Sequence, residues 1–160
     1  MALKKVWMAE IGPFILAIEH VGSTSVRGLS AKPILDIDIV IATDSSFVKV
    51  RQGLEKLGYV DRGDLGIKGR EAFGRQNKEV PWNKEQTNWM AHHLYVCTQD
   101  SRELRRHLAF RDYLRNHSQT AAAYEQLKRN LAQTAKDREH YTAAKSTFIE
   151  EVLKKEQISQ

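Results

Sequence analysis

Two aspartates, Asp36 and Asp38, stand one residue apart inside the apolar run Ile34-Leu-Asp-Ile-Asp-Ile-Val-Ile41. Aspartate is depleted in strands and costly to bury without a partner. In a strand, residues i and i+2 share a face, with Cα atoms roughly 6.5–7 Å apart. Asp36 and Asp38 are therefore predicted on one exposed face, and Leu35, Ile37 and Ile39 on the other. Two like charges that close repel, and a divalent cation between them removes the conflict. Mg²⁺ suits the position, because it takes hard oxygen ligands, commonly one or two carboxylates with water and substrate phosphate oxygens. The structural alternative, open for any bare Asp-x-Asp, is a strand end where both carboxylates reach water or pair with Lys or Arg.

A second group lies just upstream. Gly22-Ser23-Thr24-Ser25 follows His20-Val21, where a first strand is expected to end. Small and hydroxyl residues leave backbone N–H groups free to cradle an anion, more so if a helix starts there. The 13 residues from Ser23 to Asp36 leave room for a short helix and a return into the sheet. A phosphate cradle would then face the carboxylate pair, with Ser23 near the cleft. An ordinary Ser/Thr cap and turn is the alternative. The stretch is not a Walker loop, since Gly28 is followed by Leu29-Ser30 and Lys32 comes too late for that motif. Lys32 is still counted among the phosphate-binding candidates. The nucleophile-elbow pattern Gly-x-Ser-x-Gly is absent as well.

Further candidates come from later segments. His93 and Tyr95 share a strand face. If that is the aspartate face, His93 either ligates metal or acts as general base near neutral pH; otherwise it is a hydrogen-bonded structural histidine. His92 points the other way and reads as structural. Arg70 and Arg75 sit in a Gly-rich connection, where a guanidinium can grip phosphate in bidentate fashion. Tyr124 with Lys128, and Tyr141 with Lys145, repeat an i, i+4 pairing that sets a basic head beside an aromatic ring. Both lysines either neutralise a polyphosphate or snorkel from an apolar stripe. Arg111, beside Asp112, either positions a phosphate or ties its helix to the sheet.

The elements that must position these groups follow from periodicity. Residues 34–41 are short, apolar and β-branched, a buried strand. Residues 9–19 read as the end of a helix interrupted by Gly12-Pro13. Asp44-Ser-Ser is expected to cap a helix whose inner face is Phe47, Val50, Leu54 and Leu57, ended by Gly58. Weak strands are predicted near residues 59–60 and 71–76, and a better one over 91–97. From Ser101 the pattern becomes three helices. Leu104, Leu108 and Leu114 face inward in the first. Tyr124, Leu127, Leu131 and Ala135 do so in the second, and Tyr141, Ala144, Phe148 and Val152 in the third. One domain is expected over 1–160, an α/β core over 1–100 with a helical subdomain over 101–160.

Composition narrows the function. Hydrophobic residues make up 41% and charged residues 28%, a globular balance. No apolar run approaches the roughly 20 residues that cross a bilayer, and no h-region or cleavage site follows the basic start, so neither a membrane span nor a signal peptide is expected. A single cysteine, Cys97, cannot close an intrachain disulfide, and a cytoplasmic location is the simplest reading. The net charge is +5, and residues 101–160 carry 12 Lys and Arg against 8 Asp and Glu. That mild excess suits a phosphate-bearing small molecule better than a long nucleic acid.

Taken whole, "EHVGSTSVRGLSAKPILDIDIVI" closely resembles the signature of the GrpB family, a group with the nucleotidyltransferase fold. "GIKGREAFGR", "HLAFRDYLRNH", "YEQLK" and "YTAAKSTFI" resemble later family segments, in order, over nearly the whole chain. The resemblance implies a small mixed sheet flanked by helices, Gly22 and Ser23 on a triphosphate, and Asp36 and Asp38 on Mg²⁺. It also implies transfer of a nucleotidyl group from a nucleoside triphosphate to an acceptor that neither the resemblance nor the residues identify. Three departures stand out. Arg27 replaces a common proline, His93-Leu94-Tyr95 replaces His-x-His, and the strand over 91–97 lacks the third carboxylate that active nucleotidyltransferases generally supply. A non-catalytic nucleotide or phosphate-metabolite binder is therefore the second expectation, and an interaction module with a salt-bridged aspartate pair the third. Oligomeric state is not readable from the sequence.

Overall fold

The structure, a computed structural model, describes residues 2–29 and 33–159. Helix α1 (Ala2–Ile11) stops where Gly12-Pro13 begins a short 3₁₀ turn through Phe14. The expected helix over 9–19 is thus corrected at its second half. Proline lacks the N–H a helix needs, and the chain leaves the turn extended, as β1 (Ala17–Val21). A 3₁₀ turn at Ser23–Ser25 follows in place of an α-helix start. Next come β2 (Leu35–Ile41), α2 (Phe47–Lys56), β3 (Tyr59–Asp61), β4 (Glu71–Arg75) and β5 (His92–Thr98). The expected cap on α2 is not made; Asp44–Ser46 instead form a 3₁₀ turn leading into the helix.

The strands form one mixed sheet in the order β1-β2-β5-β4-β3, with β2 and β5 parallel and the other neighbours antiparallel. Alternation assigns its two faces. Ile37, Ile39 and Ile41 of β2 join Leu94, Val96 and Phe73 on the face covered by α1 and α2, where Trp7, Ile11, Val50 and Leu54 complete the main core. Each such side chain, fully buried, stabilises by about 1.5–3 kcal/mol. Gly53 lets α2 approach α1 closely, since a Cβ there would run into Ile11 Cγ2.

The other face is covered by α3 (Arg102–Asn116), and α4 (Ser118–Thr134) and α5 (Arg138–Ser159) pack on α3 and on each other. Ser101 caps α3 by accepting a hydrogen bond from the Leu104 N–H at 3.3 Å. Two apolar contacts hold this layer down. Leu104 packs with Val40 and Cys97, while Leu114 and Tyr124 pack with Val26. The polar part of the face lies between them. Among the described residues no helix is long and apolar enough to cross a membrane.

Candidate active site

Because Ile37 and Ile39 point into the main core, Asp36 and Asp38 point to the α3 face. Parallel pairing sets His93 beside Asp36 and Tyr95 beside Asp38, and antiparallel pairing sets Glu19 beside Asp38. Cross-strand neighbours on one face have Cβ atoms about 4.5–5.5 Å apart, so β1, β2 and β5 together gather three acids and a histidine.

The two aspartates differ in access. The Asp36 side chain is 35% exposed, and His93 Nδ1 donates to its Oδ1 at 3.0 Å. Its carboxylate lies against Gly22, where any Cβ would collide with Asp36 Oδ2. Gly22 also has a φ of +75°, a left-handed conformation that favours glycine. Asp38 is only 2% exposed, which corrects the expectation that both acids lie open. The cover is polar: His107 Nδ1 on α3 donates to Asp38 Oδ2 at 2.7 Å, and His107 Nε2 lies 3.3 Å from Glu103 Oε1. Burial pushes the His107 pKa down, but the hydrogen bond to Asp38 and the charges of Asp38 and Glu103 outweigh it, and the net shift is upward.

The turn at Ser23–Ser25 stands next to Asp36. Lys128 Nζ on α4 donates to Ser23 Oγ at 2.8 Å, and the Tyr124 hydroxyl also reaches Ser23. Burial, then the nearby charge of Lys145 on α5, lowers the Lys128 pKa. Lys128 thus reaches the turn, with Lys145 near enough for its charge to act on Lys128. Thr24 Oγ1 is engaged with His20 Nε2 at 2.8 Å, and Ser25 Oγ donates to the Gly22 carbonyl, so both hydroxyls serve the turn itself. Lys32 lies outside the described residues.

The arginines separate. Arg111 donates to Glu19 Oε2 at 2.7 Å, to the His20 carbonyl at 3.1 Å and to Asp112 Oδ1 at 2.8 Å. Its guanidinium is committed to tying α3 to β1, which is the structural of its two alternatives. Arg75 is on the opposite face from the aspartates, in step with Phe73, and donates to the Val80 carbonyl at 3.1 Å. The phosphate-binding expectation for Arg75 is corrected on that ground. Arg70 lies with its guanidinium carbon 4.2 Å from the centre of the Tyr95 ring, and its charge reaches His107. It also lines a cavity of about 260 Å³ at the far ends of β2 and β5, with Asp44, Asp64, Glu71 and Thr98.

Sequence reasoning missed His107, Glu19 and Arg115, which donates to the Ser25 carbonyl at 2.8 Å. A signal was present. Glu103, His107, Arg111 and Arg115 recur every fourth residue along α3, a polar row beside the leucine stripe.

The site's fit to a metal can be tested on its donors. Among the described residues no group of three His, Cys, Asp or Glu side chains could hold a metal ion. Of the three acids on this face Glu19 is engaged by Arg111, which leaves Asp36 and Asp38 to supply hard oxygens. That matches Mg²⁺ completed by water and substrate phosphate, and does not match an all-protein cage.

A mixed five-stranded sheet covered by helices on both faces, with an aspartate pair beside a Gly-Ser turn, is an α/β architecture with its acids gathered on one face. The sequence matches the GrpB protein family over residues 2–155, and the chain belongs to that family. It is 36% identical over 76% of its length to the UPF0157 protein YqkA of Bacillus subtilis, of which it spans 32%. It is 34% identical over 91% of its length to the UPF0157 protein BH1888 of Halalkalibacterium halodurans, of which it spans 69%. The crystal structure of conserved protein GrpB from Enterococcus faecalis superposes with a TM-score of 0.73 at 30% identity, covering 96% of this chain and 90% of that one.

Proposed function

We propose that the protein transfers a nucleotidyl group from a nucleoside triphosphate to a small acceptor in an Mg²⁺-dependent reaction. The observation that supports this reading is the contact between Gly22 and the Asp36 carboxylate, which puts the Gly22-Ser23 turn directly beside the aspartate pair. Asp36 and Asp38 would hold Mg²⁺, which when bound neutralises phosphate oxygens and polarises them. Ser23 and the backbone of its turn grip the phosphates, and Lys128 and Lys145 offset their charge. His93, beside Asp36, either completes the metal site or takes the acceptor proton as the acceptor oxygen bonds to phosphorus and pyrophosphate leaves. Catalysis of this kind is mostly positioning and electrostatics. The lone Cys97 is buried, with its thiol pushed up to about 12 by burial, and takes no part in this chemistry.

A second reading has its own support. Strand β5 carries no acid, so a third carboxylate is not supplied from there. On that ground the alternative is a non-catalytic binder of a nucleotide or another phosphate-bearing metabolite. A thermal-shift panel of nucleoside triphosphates with and without Mg²⁺ separates the two. Stabilisation that requires metal is the expected result. Metal-independent stabilisation selects the binder, and no stabilisation by any nucleotide overturns both.

A further inference from the structure

We propose that His107 is a positioning residue for the metal-binding carboxylate Asp38, so that helix α3 forms part of the cation site. The inference rests on the functional reading above. Asp38 is 2% exposed, so water does not set its orientation. Among the described residues its one hydrogen bond is from His107 Nδ1, at 2.7 Å. That bond holds Oδ2 and leaves Oδ1 without a protein donor among those residues. Glu103, 3.3 Å from the far ring nitrogen, fixes the imidazole in turn. Ligating carboxylates are commonly held in this way by a second layer of hydrogen bonds.

A purely structural tie between α3 and the sheet does not need this histidine. Leu104 already packs against Val40 and Cys97, and Arg111 already joins Glu19 and the His20 carbonyl. His107 stands between those two anchors and touches Asp38, whose carboxylate receives no hydrogen bond from the sheet among the described residues. Asp36 has a matching arrangement, with His93 on Oδ1. But His93 is 58% exposed at its side chain, where water can replace it, whereas the buried bond of His107 has no such substitute.

The test uses the whole chain and the Mn²⁺ complex of a non-transferable α,β-methylene ATP analogue, titrated by calorimetry. The variants are His107→Leu, His107→Gln and His107→Asn, each checked by circular dichroism to be folded at the assay temperature. His107→Leu and His107→Gln should weaken the metal-dependent affinity about 10–100-fold. The metal-free analogue, held by Ser23 and Lys128, should bind as in the wild type. His107→Asn should restore most of the loss, because its amide N–H can stand where Nδ1–H stood. A merely structural role would not produce that rescue. Equal metal-dependent affinity in all folded variants, or failure of a folded His107→Asn to rescue, overturns the role of His107 while leaving the proposed function intact. A wild type that binds the analogue equally with and without Mn²⁺ overturns both.

Discussion

His92 and His93 are consecutive, yet they belong to opposite faces of the sheet and to two different kinds of polar chemistry. On the core face, Trp7 Nε1 donates to the Tyr59 hydroxyl at 3.0 Å, that hydroxyl donates to His92 Nε2 at 2.7 Å, and His92 Nδ1 donates to the Met90 carbonyl at 2.8 Å. Every donor in that chain has an acceptor and no member is charged. Burial pushes His92 down to about 4 and pushes the Tyr59 hydroxyl up, so both stay neutral. On the α3 face the partners are carboxylates: Asp36 accepts from His93, Asp38 from His107 and Glu19 from Arg111. Each of those carboxylates has one oxygen held by a side-chain N–H donor. A closed neutral chain serves the fold. Acids on one face, each held at one oxygen, are suited to take a ligand.

The largest effect should come from cutting the neutral chain at its head. Trp7 is fully buried and donates to Tyr59. Trp7→Ala should destabilise by about 3–5 kcal/mol, through the cavity and the loss of the donor to the Tyr59 oxygen. The urea midpoint measures it. A loss under about 1 kcal/mol would remove this chain from the scaffold and erase the contrast between the faces.

Next in size is a pH effect of opposite sign on the two faces. His92 has a folded pKa of about 4 against 6.5 for the free side chain, so between those values the unfolded chain binds the extra proton. Its contribution is complete above 6.5 and is lost as pH falls toward 4, on the order of 3 kcal/mol. His107 is raised, so its contribution is complete below 6.5 and is lost as pH rises through its folded pKa. Urea midpoints from pH 4 to 8 should therefore show His92→Gln removing part of the acid-side loss, and His107→Asn removing part of the alkaline-side loss. If both variants flatten the same limb, the two histidines are not in the two environments described.

Much of this contrast was legible in the sequence, and the illegible part has a physical cause. The strand over Leu35–Ile41 and the shared face of Asp36 and Asp38 follow from a period of two. The three C-terminal helices follow from their apolar spacing, and membership of the GrpB family from the motif resemblance. What a linear pattern does not carry is which helix crosses which strand. Asp38 looked exposed because nothing near it in sequence covers it; His107, 69 residues away, does. Arg75 looked available because the weak strand predicted over 71–76 lay in a Gly-rich connection with no face assigned to it; the alternation of β4 turns Arg75 to the core side. Glu19 escaped notice because its importance comes from antiparallel register with Asp38.

Asp38→Asn should change stability less. Removing one of two like charges relieves their repulsion and by itself leaves the protein no less stable. The bond to His107 moderates that prediction, since an Asn carbonyl still accepts from Nδ1–H but without the charge. The metal-free protein should shift by no more than about 1 kcal/mol in either direction. Stabilisation by Mg²⁺ with a nucleoside triphosphate should vanish, as read from melting temperatures. A drop of about 3–5 kcal/mol would mean that Asp38 exists to neutralise a buried cation, placing it with the scaffold and not with the site.

The smallest stability effect, and the sharpest use of the comparison, is His93→Ala. Its neighbour His92 is buried in the closed chain, and removing it strands the Tyr59 hydroxyl. His93 is 58% exposed and its partner Asp36 is 35% exposed, so solvent screens the pair and water can take over the hydrogen bond. His93→Ala should therefore move the urea midpoint by no more than about 0.5 kcal/mol equivalent. The same variant should weaken Mg²⁺-dependent nucleotide binding, because His93 is the side chain that holds Asp36 Oδ1 beside the Gly22 turn. A large stability loss would make His93 a second structural histidine. Unchanged stability with unchanged metal-dependent binding would leave Asp36 oriented by Gly22 alone. Only the combination of an intact fold and weakened metal-dependent binding separates two adjacent histidines into one for the scaffold and one for the site.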